Sequence, residues 1–263
     1  MPRTQDSPIG LHGLVIMVTR PAHQAAAFSA MLERAGATVV QCPALRITAP
    51  ADTTALEDAV NRLDDFDILM FNSPNAADYG IGFIHRHRRL PARAQIAAIG
   101  VKTAQAIERH GYAVHASPPA HFDSEAFLEL PLAADVRGKR VAIFRGQNGR
   151  MLLGETLRQR GAEVEFVTTY QRCGPSAAQA DRIRAALRQG VDAITVTSSE
   201  MLVNLVECLD APARALLDRT TLISGHERIS ATARQLGLPA PITAADPTDE
   251  SMLTAVLQWA AAR

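Results

Sequence analysis

A chain of 263 residues that is 47% hydrophobic can bury one large core or two smaller ones. Its 27 Lys and Arg balance 27 Asp and Glu, so no overall positive field favours nucleic acid or an anionic membrane. The sequence contains no run of about 18 apolar residues, so we predict no membrane-spanning helix. Residues 1–10 lack the apolar centre of a signal peptide. The three cysteines form no CxxC pair, which is typical of reduced thiols. We therefore expect a cytoplasmic protein.

Each half of the chain alternates short apolar runs with longer stretches of helical pattern. The short runs, which we predict to be strands, are residues 15–18, 39–40, 68–71, 96–99, 141–144, 164–170, 193–197 and 222–224. Helices begin and end between them, as where Pro21 opens a stretch that Gly36 closes. Ser73 and Pro74 have the types typical of an N-cap and a first helical residue. Such alternation predicts a parallel sheet covered on both faces.

The chain also matches itself at an offset of 125 residues. The matching blocks are 13–20 with 138–145, 35–39 with 160–164, 67–73 with 192–198, and Gly100 with Gly225. The register slips by one residue only between Gly111 and Gly237. Several blocks at one offset indicate an internal repeat. The fold class we predict is α/β, with two similar flavodoxin-like or Rossmann-like parallel-sheet domains.

Two segments have the composition of connections between domains. Residues 42–50 contain two prolines, and residues 171–175 contain Gly174-Pro175. Both follow the second strand of a half. We predict that they are the linkers, and we expect a carboxylate-rich ligand to bind in the cleft between the domains.

Several nucleotide and hydrolase motifs are absent. The start of a GxGxxG pattern at Gly80 fails because His85 stands at the third glycine position. The segment Gly100-Val101-Lys102-Thr103 resembles the end of a phosphate-binding loop, but Val101 replaces the required glycine. No GxSxG elbow is present either.

The candidate binding residues lie where strands end and helices begin, because ligands of open α/β sheets bind at the carboxyl ends of the strands. Helix starts offer unpaired N–H groups that suit carboxylates or phosphates. The candidates are Thr19, Arg20, Ser73, Asn75, Ala76, Gly100, Lys102, Thr103, Arg145, Gly146, Arg150, Thr197, Ser198, Ser199, His226 and Arg228. Arg150 is expected in the first turn of a helix, where a bound anion would relieve the repulsion between a cation and the helix dipole.

Structural roles remain open for these residues. Ser73, Ser198 and Ser199 can be ordinary N-caps, and capping is compatible with ligand binding. Arg20 and Arg145 occupy equivalent positions of the repeat and can be surface arginines. Tyr170, which we place at the end of a strand entering a linker, can be a structural tyrosine with one hydrogen bond.

Taken in order, these segments resemble the uroporphyrinogen-III synthase family from about Gly13 to the C-terminus. The matching pieces are Val18-Thr19-Arg20-Pro21, Phe71-Asn72-Ser73-Pro74-Asn75-Ala76, Ala98-Ile99-Gly100-Val101-Lys102-Thr103-Ala104, Arg145-Gly146 with Gly149-Arg150, Gly161-Ala162 through Tyr170, and Thr197-Ser198-Ser199. The chain departs from the family pattern at Asn72, where threonine is common, at Val101, where proline is common, and at residues 225–229.

The resemblance implies two domains joined by a two-stranded linker, residues 1–41 with 173–263 and residues 42–172. It implies a cytoplasmic lyase of tetrapyrrole biosynthesis with no metal and no organic cofactor. The substrate would be hydroxymethylbilane, a linear tetrapyrrole that the enzyme cyclises with inversion of the last ring and loss of water. We expect a monomer with neither a nucleic-acid nor a membrane partner.

Within this hypothesis, Tyr170 is the candidate proton donor to the departing hydroxide, because phenols keep their proton at neutral pH. Two other hypotheses remain open. The same helix starts could serve a phosphosugar or nucleotide enzyme, or a two-lobed cytoplasmic binding protein. Turnover separates a synthase, which makes the type III isomer, from a sensor, which only binds.

Overall fold

The computed structural model describes residues 10–119 and 123–263, which divide into two compact units. The terminal unit consists of the described part of Met1–Arg46 together with Cys173–Arg263, and the middle unit is Ile47–Arg172. The first crossing therefore lies after Arg46, later than the boundary before Cys42 that we expected. The physical reason is that residues 42–45 continue from the sheet of the terminal unit, where the N–H of Ala44 donates to the carbonyl of Thr19 (2.9 Å).

A five-stranded sheet forms the centre of the terminal unit, in the order β10-β9-β8-β1-β2. Its strands are β1 (Val15–Val18), β2 (Thr38–Gln41), β8 (Ala193–Val196), β9 (Thr221–Ser224) and β10 (Ile242–Thr243). The neighbouring strands pair in parallel. The helices of this unit are α1 (Ala22–Arg34), α8 (Ala177–Gln189), α9 (Ser199–Glu207), α10 (Ala211–Leu217), α11 (Glu227–Gln235) and α12 (Asp249–Ala261).

The middle unit has its own five-stranded sheet, in the order β3-β7-β6-β4-β5. Its strands are β3 (Arg46–Thr48), β4 (Ile68–Phe71), β5 (Gln95–Ala98), β6 (Arg140–Gly146) and β7 (Glu163–Cys173). Its helices are α2 (Thr54–Asn61), α3 (Pro74–Ile84), α4 (Val101–Arg109), α5 (Ser124–Leu128), α6 (Pro131–Ala134) and α7 (Leu152–Gln159), with a short 3₁₀ turn at Leu63–Asp65. Strands β4 to β7 pair in parallel, as the alternation of strands and helices predicted. The chain changes unit within β3 and near the end of β7, inside the segments predicted as linkers.

Both sheets arrange corresponding strands in the same order. At the offset of the sequence match, β1 corresponds to β6, β2 to β7, β4 to β8, and β5 to β9, whose bounds lie one residue later than the offset gives. The order is β9-β8-β1-β2 in the terminal unit and β5-β4-β6-β7 in the middle unit. Each sheet therefore combines two strands from the first half of the chain with two from the second half.

Two aspartates connect the two halves of the chain through single hydrogen bonds. Asp192 accepts a hydrogen bond from the Val15 N–H (2.9 Å), and Asp67 accepts one from the Arg140 N–H (2.8 Å). Each carboxylate comes from one half and holds the first strand of the other half. The Val15 N–H, with a smaller contribution from Arg263, holds the pKa of the Asp192 carboxyl below its usual range.

The buried core explains why the strands appear in the sequence as short apolar runs. In β4, Leu69 and Phe71 pack into one buried cluster, whereas Ile68 and Met70 pack into another. Alternate side chains of a strand point to opposite faces, so both faces of this sheet are covered. Phe71 stacks on Phe144 of the neighbouring strand with ring centroids 4.8 Å apart. The carboxyl ends of the strands are consequently the edge where polar side chains can be placed.

Two features are absent from residues 10–119 and 123–263. No helix there is long and apolar enough to span a membrane. No group of three or more His, Cys, Asp and Glu side chains there is arranged to hold a metal ion.

Candidate functional site

Two hydrogen-bonded side chains lie near the carboxyl ends of β4 and β7 in the middle unit, those of Ser73 and Tyr170. Ser73 is the N-cap of α3, and its hydroxyl oxygen accepts from the Ala76 N–H (3.1 Å). The same hydroxyl donates to the phenolic oxygen of Tyr170 (3.2 Å). Ser73 is therefore both the ordinary N-cap that we considered and a partner of the candidate proton donor. Because Tyr170 accepts this bond, its own O–H can be donated to a ligand.

Gly146 allows the Tyr170 ring to occupy its position. A Cβ atom on Gly146 would lie 2.5 Å from Cζ and 2.8 Å from the hydroxyl oxygen of Tyr170, far inside van der Waals contact. The pairing of β6 with β7 shifts register here, since Arg145 pairs with Thr168 but Gly146 pairs with Tyr170. Gly146 is thus required for the close approach of the ring.

Tyr170 lies inside a strand, which corrects our expectation that it ends one. Strand β7 continues to Cys173, and the Tyr170 carbonyl accepts from the Gln147 N–H (3.0 Å). The side chain is 6% exposed. Its ring packs near that of Tyr79, with centroids 6.2 Å apart. Strand backbone and ring packing together hold the phenol in one place.

Arg145 is a buried cation, not the surface arginine that we considered. It is 9% exposed, and its guanidinium lies over the Phe166 ring at 4.6 Å from the centroid. It donates to the carbonyls of Gly146 (3.4 Å) and Arg150 (3.3 Å) and to the Met151 sulfur (3.2 Å). All of these acceptors are neutral, and no carboxylate of the described residues pairs with it. Burial lowers the pKa of the Arg145 guanidinium, because desolvation disfavours its charged form, and a bound anion would offset this cost.

The loop between β6 and α7 carries a second cation. Arg150 is exposed, and it precedes the N-cap Met151, so it lies before the helix and not in its first turn as we expected. The loop turns at Asn148, whose φ of 60° ends the extended backbone of β6 before the helix can begin. Within the described residues, the N–H groups of Asn148, Gly149 and Arg150 donate to no acceptor. Unpaired N–H groups in the loop before a helix, beside two cations, form a suitable place for a carboxylate.

A cavity of about 420 Å³ lies at the ends of β4 and β5. Its lining, which is mostly apolar, is formed by Asn72, Ser73, Pro74, Ile99, Gly100, Val101, Lys102 and Thr103. The structure therefore brings Ser73, Gly100, Lys102 and Thr103 of the predicted set together. Gly100 is the N-cap of α4, Lys102 is exposed, and Thr103 is buried. Asn75 and Ala76 begin α3 nearby, and the Ala76 N–H is already used by Ser73.

In the terminal unit, the first two predicted residues have partners within the protein. The Thr19 hydroxyl, fully buried, donates to the Thr195 carbonyl (2.7 Å). Arg20 forms an ion pair with Asp249 at the start of α12 and lies over the Phe28 ring at 4.8 Å. Arg20 is thus buried but neutralised, unlike its repeat equivalent Arg145.

The serines and threonine after β8 also hold local structure. Ser198 is the N-cap of α9, where it accepts from the Met201 N–H (3.1 Å). Ser199 is not a cap but the first residue of α9, and it accepts from the Thr232 hydroxyl (2.7 Å). The Thr197 hydroxyl lies 3.6 Å from the Met201 sulfur.

The exposed candidates of the terminal unit lie at the start of α11. His226 is the N-cap, and its Nδ1 accepts from the Arg228 N–H (3.0 Å). Both side chains are exposed. These two residues are the exposed members of the terminal-unit set, whereas Thr197, Ser198 and Ser199 are half-buried.

Sequence reasoning did not select a second cavity, of about 200 Å³, in the terminal unit. Its lining includes Gln41, Cys42 and Arg182. Burial raises the pKa of the Cys42 thiol to about 11, so the group stays a neutral thiol and is not a nucleophile near neutral pH. Other missed contributors are Asp249 and Phe166, which are distant in sequence from the arginines they contact. No local pattern could have indicated them.

The fold and the site together define a class of protein. Its features here are two parallel sheets with capped helix starts, a buried cation without a carboxylate partner, and a phenol held in one position. The class is that of two-unit α/β proteins, a fold in which the carboxyl ends of the strands are the usual place for a ligand. The family model described as uroporphyrinogen-III synthase HemD matches residues 26–254. The chain belongs to the uroporphyrinogen-III synthase family, whose members are lyases of porphyrin biosynthesis, so the resemblance seen in the sequence is confirmed.

Named relatives agree over nearly the whole length. The uroporphyrinogen-III synthase of Salmonella typhimurium strain LT2 is 34% identical over 246 residues, which is 92% of this chain and 99% of the relative. That of Escherichia coli K12 is 31% identical over 245 residues, with the same coverage.

Solved structures show the same fold. A mutant uroporphyrinogen III synthase of Thermus thermophilus has a TM-score of 0.57 at 21% identity, covering 95% of this chain and 99% of that one. The uroporphyrinogen-III synthetase of Helicobacter pylori 26695 has a TM-score of 0.58 at 15% identity, covering 94% of this chain and 99% of that one. The predicted two-domain α/β fold class is confirmed.

Proposed function

We propose that the chain converts hydroxymethylbilane to uroporphyrinogen III, closing the macrocycle with inversion of the last ring and loss of one water. The observation that supports this proposal is a pair of buried side chains close to Gly146. A buried guanidinium without a carboxylate partner, Arg145, and a buried phenol, Tyr170, stand on adjacent strands. One group suits a substrate carboxylate and the other a departing hydroxide. Family membership supports the same assignment.

Substrate carboxylates are held, in this proposal, by the loop after β6. Arg150 supplies an exposed cation, and the N–H groups of residues 148–150 supply donors that no described acceptor uses. Arg145 donates to the carbonyls of Gly146 and Arg150, which flank the loop, so it adds a buried positive charge beside these N–H groups. Charge-assisted hydrogen bonds are roughly twice as strong as neutral ones. The helix starts at Ser73 and Gly100, with Lys102 and Thr103, provide further sites.

Tyr170 acts as the proton donor. Loss of hydroxide from the hydroxymethyl group leaves an electron-poor azafulvene, and the Tyr170 O–H protonates the hydroxide as it departs. The azafulvene carbon then bonds to the substituted α-carbon of the last ring, giving a spiro-pyrrolenine. The bond from that carbon to the neighbouring bridge breaks and re-forms at the free α-carbon. The proton lost from this second carbon restores the phenol, so one water is released in total.

Positioning decides which isomer forms. The substrate loses hydroxide and cyclises without an enzyme, giving the uninverted isomer. The enzyme must therefore hold the last ring so that its substituted carbon meets the azafulvene first. Fixed geometry of this kind can supply about 7–11 kcal/mol of the barrier in favourable cases. The reaction involves no net oxidation or reduction, and we propose that it needs no metal or organic cofactor.

The remaining predicted residues belong to the same proposal. The exposed His226 and Arg228 of the terminal unit contact substrate carboxylates, and Thr197, Ser198 and Ser199 shape the helix start beside them. Thr19 and Arg20 support this edge from within, since both are buried and paired. We propose a cytoplasmic monomer without a nucleic-acid partner.

Turnover tests the proposal. The purified protein is incubated with hydroxymethylbilane in the presence of a chelator, and the oxidised products are separated by chromatography. We expect mainly the type III isomer. A product mixture equal to the spontaneous type I background would overturn the proposal and favour a sensor that only binds.

A further inference from the structure

Tyr79 contacts the candidate proton donor, although it is not one of the residues predicted for the site. It lies in α3, the helix whose N-cap is Ser73. The centroids of the Tyr79 and Tyr170 rings are 6.2 Å apart, and the rings are tilted by 36°. Centroid distances of this size are typical of interacting aromatic pairs. Helix α3 therefore contacts the phenol twice, through the Ser73 hydroxyl and through the Tyr79 ring.

The Tyr79 ring is anchored at its far end. Its O–H donates to the carbonyl of Ile47 (2.6 Å). Ile47 belongs to β3, the edge strand that lies beside β7 in the sheet. The Tyr79 side chain thus connects α3 with the strand next to the one that carries Tyr170. A ring held by both its backbone and its hydroxyl cannot swing away from Tyr170 without breaking this hydrogen bond.

The residue after Tyr79 brings the helix close to the sheet. A Cβ atom on Gly80 would lie 3.1 Å from Thr169 Cγ2 and 3.4 Å from a ring carbon of Phe71, so a larger residue would push α3 outward. Thr169 directly precedes Tyr170 in β7. The close approach of α3 to β7 at Gly80 is what places the Tyr79 ring against the phenol.

We propose that Tyr79 is a positioning residue for the proton transfer. Its anchored ring holds the Tyr170 phenol in the orientation in which the O–H meets the departing hydroxide. Ser73 bonds the phenolic oxygen, whereas Tyr79 contacts the ring, so the two contacts together fix the place of the oxygen and the tilt of the ring. The proposal rests on the proposed function, and it names a residue that acts through Tyr170.

Steady-state kinetics on hydroxymethylbilane test the proposal. Tyr79→Leu removes the ring and its anchor, and kcat should fall by about tenfold with little change in KM, the size expected for the loss of one aromatic pair. Tyr79→Phe keeps the ring and removes only the O–H, so it should lose about threefold. The type III isomer should remain the main product of both variants, because the groups that hold carboxylates are unchanged.

Tyr79→Phe decides the matter if Tyr79→Leu does not fold. A folded protein of either kind with wild-type kcat would overturn the proposal. Failure of Tyr79→Phe to fold would overturn it as well, because the O–H would then hold the fold and not the phenol.

A double variant separates positioning from a general structural effect. In a Tyr170→Phe protein there is no proton donor left to position, so adding Tyr79→Leu or Tyr79→Phe should cause no further loss of kcat. A purely structural effect would lower kcat by the same factor in both backgrounds. Equal factors would therefore overturn the proposal.

Two matched controls lie in the same unit. Phe83→Leu makes the same kind of change in α3, at a buried ring that packs near His87. Tyr112→Phe removes a phenol O–H that is hydrogen-bonded to His85. Both controls should keep wild-type kcat, even if Phe83→Leu lowers the melting temperature. A loss of kcat in a control equal to that of its Tyr79 counterpart would contradict the proposal.

Fluorine NMR gives a readout that needs no substrate. The chain has three tyrosines, Tyr79, Tyr112 and Tyr170, so a protein made with 3-fluorotyrosine has three labelled rings, and single Tyr→Phe variants assign their signals. The Tyr170 signal should shift in Tyr79→Leu and stay in place in Phe83→Leu. An unmoved Tyr170 signal in Tyr79→Leu would refute the role of Tyr79 alone, whereas absent type III product from the wild type would refute the proposed function.

Discussion

Replacing Gly146 by alanine should disable the candidate proton donor without touching it. The new Cβ would lie 2.5 Å from Tyr170 Cζ and 2.8 Å from its hydroxyl oxygen, where ordinary contacts begin at 3.4 Å. The ring must therefore move by about 1 Å, a shift that can cost up to about 10²-fold in rate when it misplaces a reacting group. The 3.2 Å hydrogen bond from Ser73 would be lost in the same movement. We expect kcat to fall by about 10²-fold.

Stability should change much less than activity. Forcing an extra methyl group into a packed site typically costs about 1–3 kcal/mol, which a domain of ordinary stability survives. The backbone does not add to this cost, because Gly146 is not among the glycines with a positive φ. Circular dichroism and thermal unfolding should show a folded protein with a lower melting temperature.

The assay is steady-state kinetics on hydroxymethylbilane with separation of the product isomers. Gly82→Ala is the matched control, since a Cβ there meets nothing within 4 Å and the residue lies inside α3. It should keep full activity. The double variant of Gly146→Ala with Tyr170→Phe should lose no more rate than Tyr170→Phe alone, because both changes remove one function. A folded Gly146→Ala protein with full kcat would refute this reasoning.

Three further predictions follow from single side chains. Tyr170→Phe should lower kcat by about 10²-fold with little change in KM, and steady-state kinetics with unchanged kcat would show that the hydroxyl is not the acid. Arg145→Met should raise KM by more than it lowers kcat. It should leave the melting temperature unchanged or higher, because it removes a buried cation that lacks a carboxylate partner. A strong loss of stability would contradict this prediction. Asp192→Asn should destabilise the protein by about 1 kcal/mol at pH 7, since the folded carboxyl has a lowered pKa and stabilises only while ionised. Denaturant unfolding should show this difference shrinking as the pH falls from about 4 through the lowered pKa of the folded carboxyl, and a difference that stays constant as the pH falls further below about 4 would contradict the assignment.

The strands of the fold were predictable because their signal is local. Residues 68–71 are a run of four apolar residues, and β4 has these bounds because both of its faces are buried. Gly36, predicted to close a helix, has a positive φ of 98° that suits glycine. The end of β7 was predicted less well. Its polar residues 171–173 continue the strand, so the sequence pattern placed Tyr170 at a strand end.

The candidate site was only partly predictable. Arg20 and Arg145 look equivalent in sequence, yet only Arg20 has a carboxylate partner, and that partner is Asp249 near the other end of the chain. Such a pair leaves no periodic or local signal. Strand ends can be found from sequence, whereas charge neutralisation and hydrogen-bond satisfaction require the three-dimensional arrangement.

Ring inversion itself is the central claim, and isotope labelling measures it most directly. Hydroxymethylbilane is labelled with a heavy carbon isotope at the bridge between the third and last rings and at the adjoining carbon of the last ring. The product is examined by NMR for coupling between these two bonded carbons. The account predicts that the coupling disappears in the enzymatic product, because the bridge moves to the other α-carbon of the last ring. A product that keeps the coupling, as the spontaneous isomer does, would contradict it.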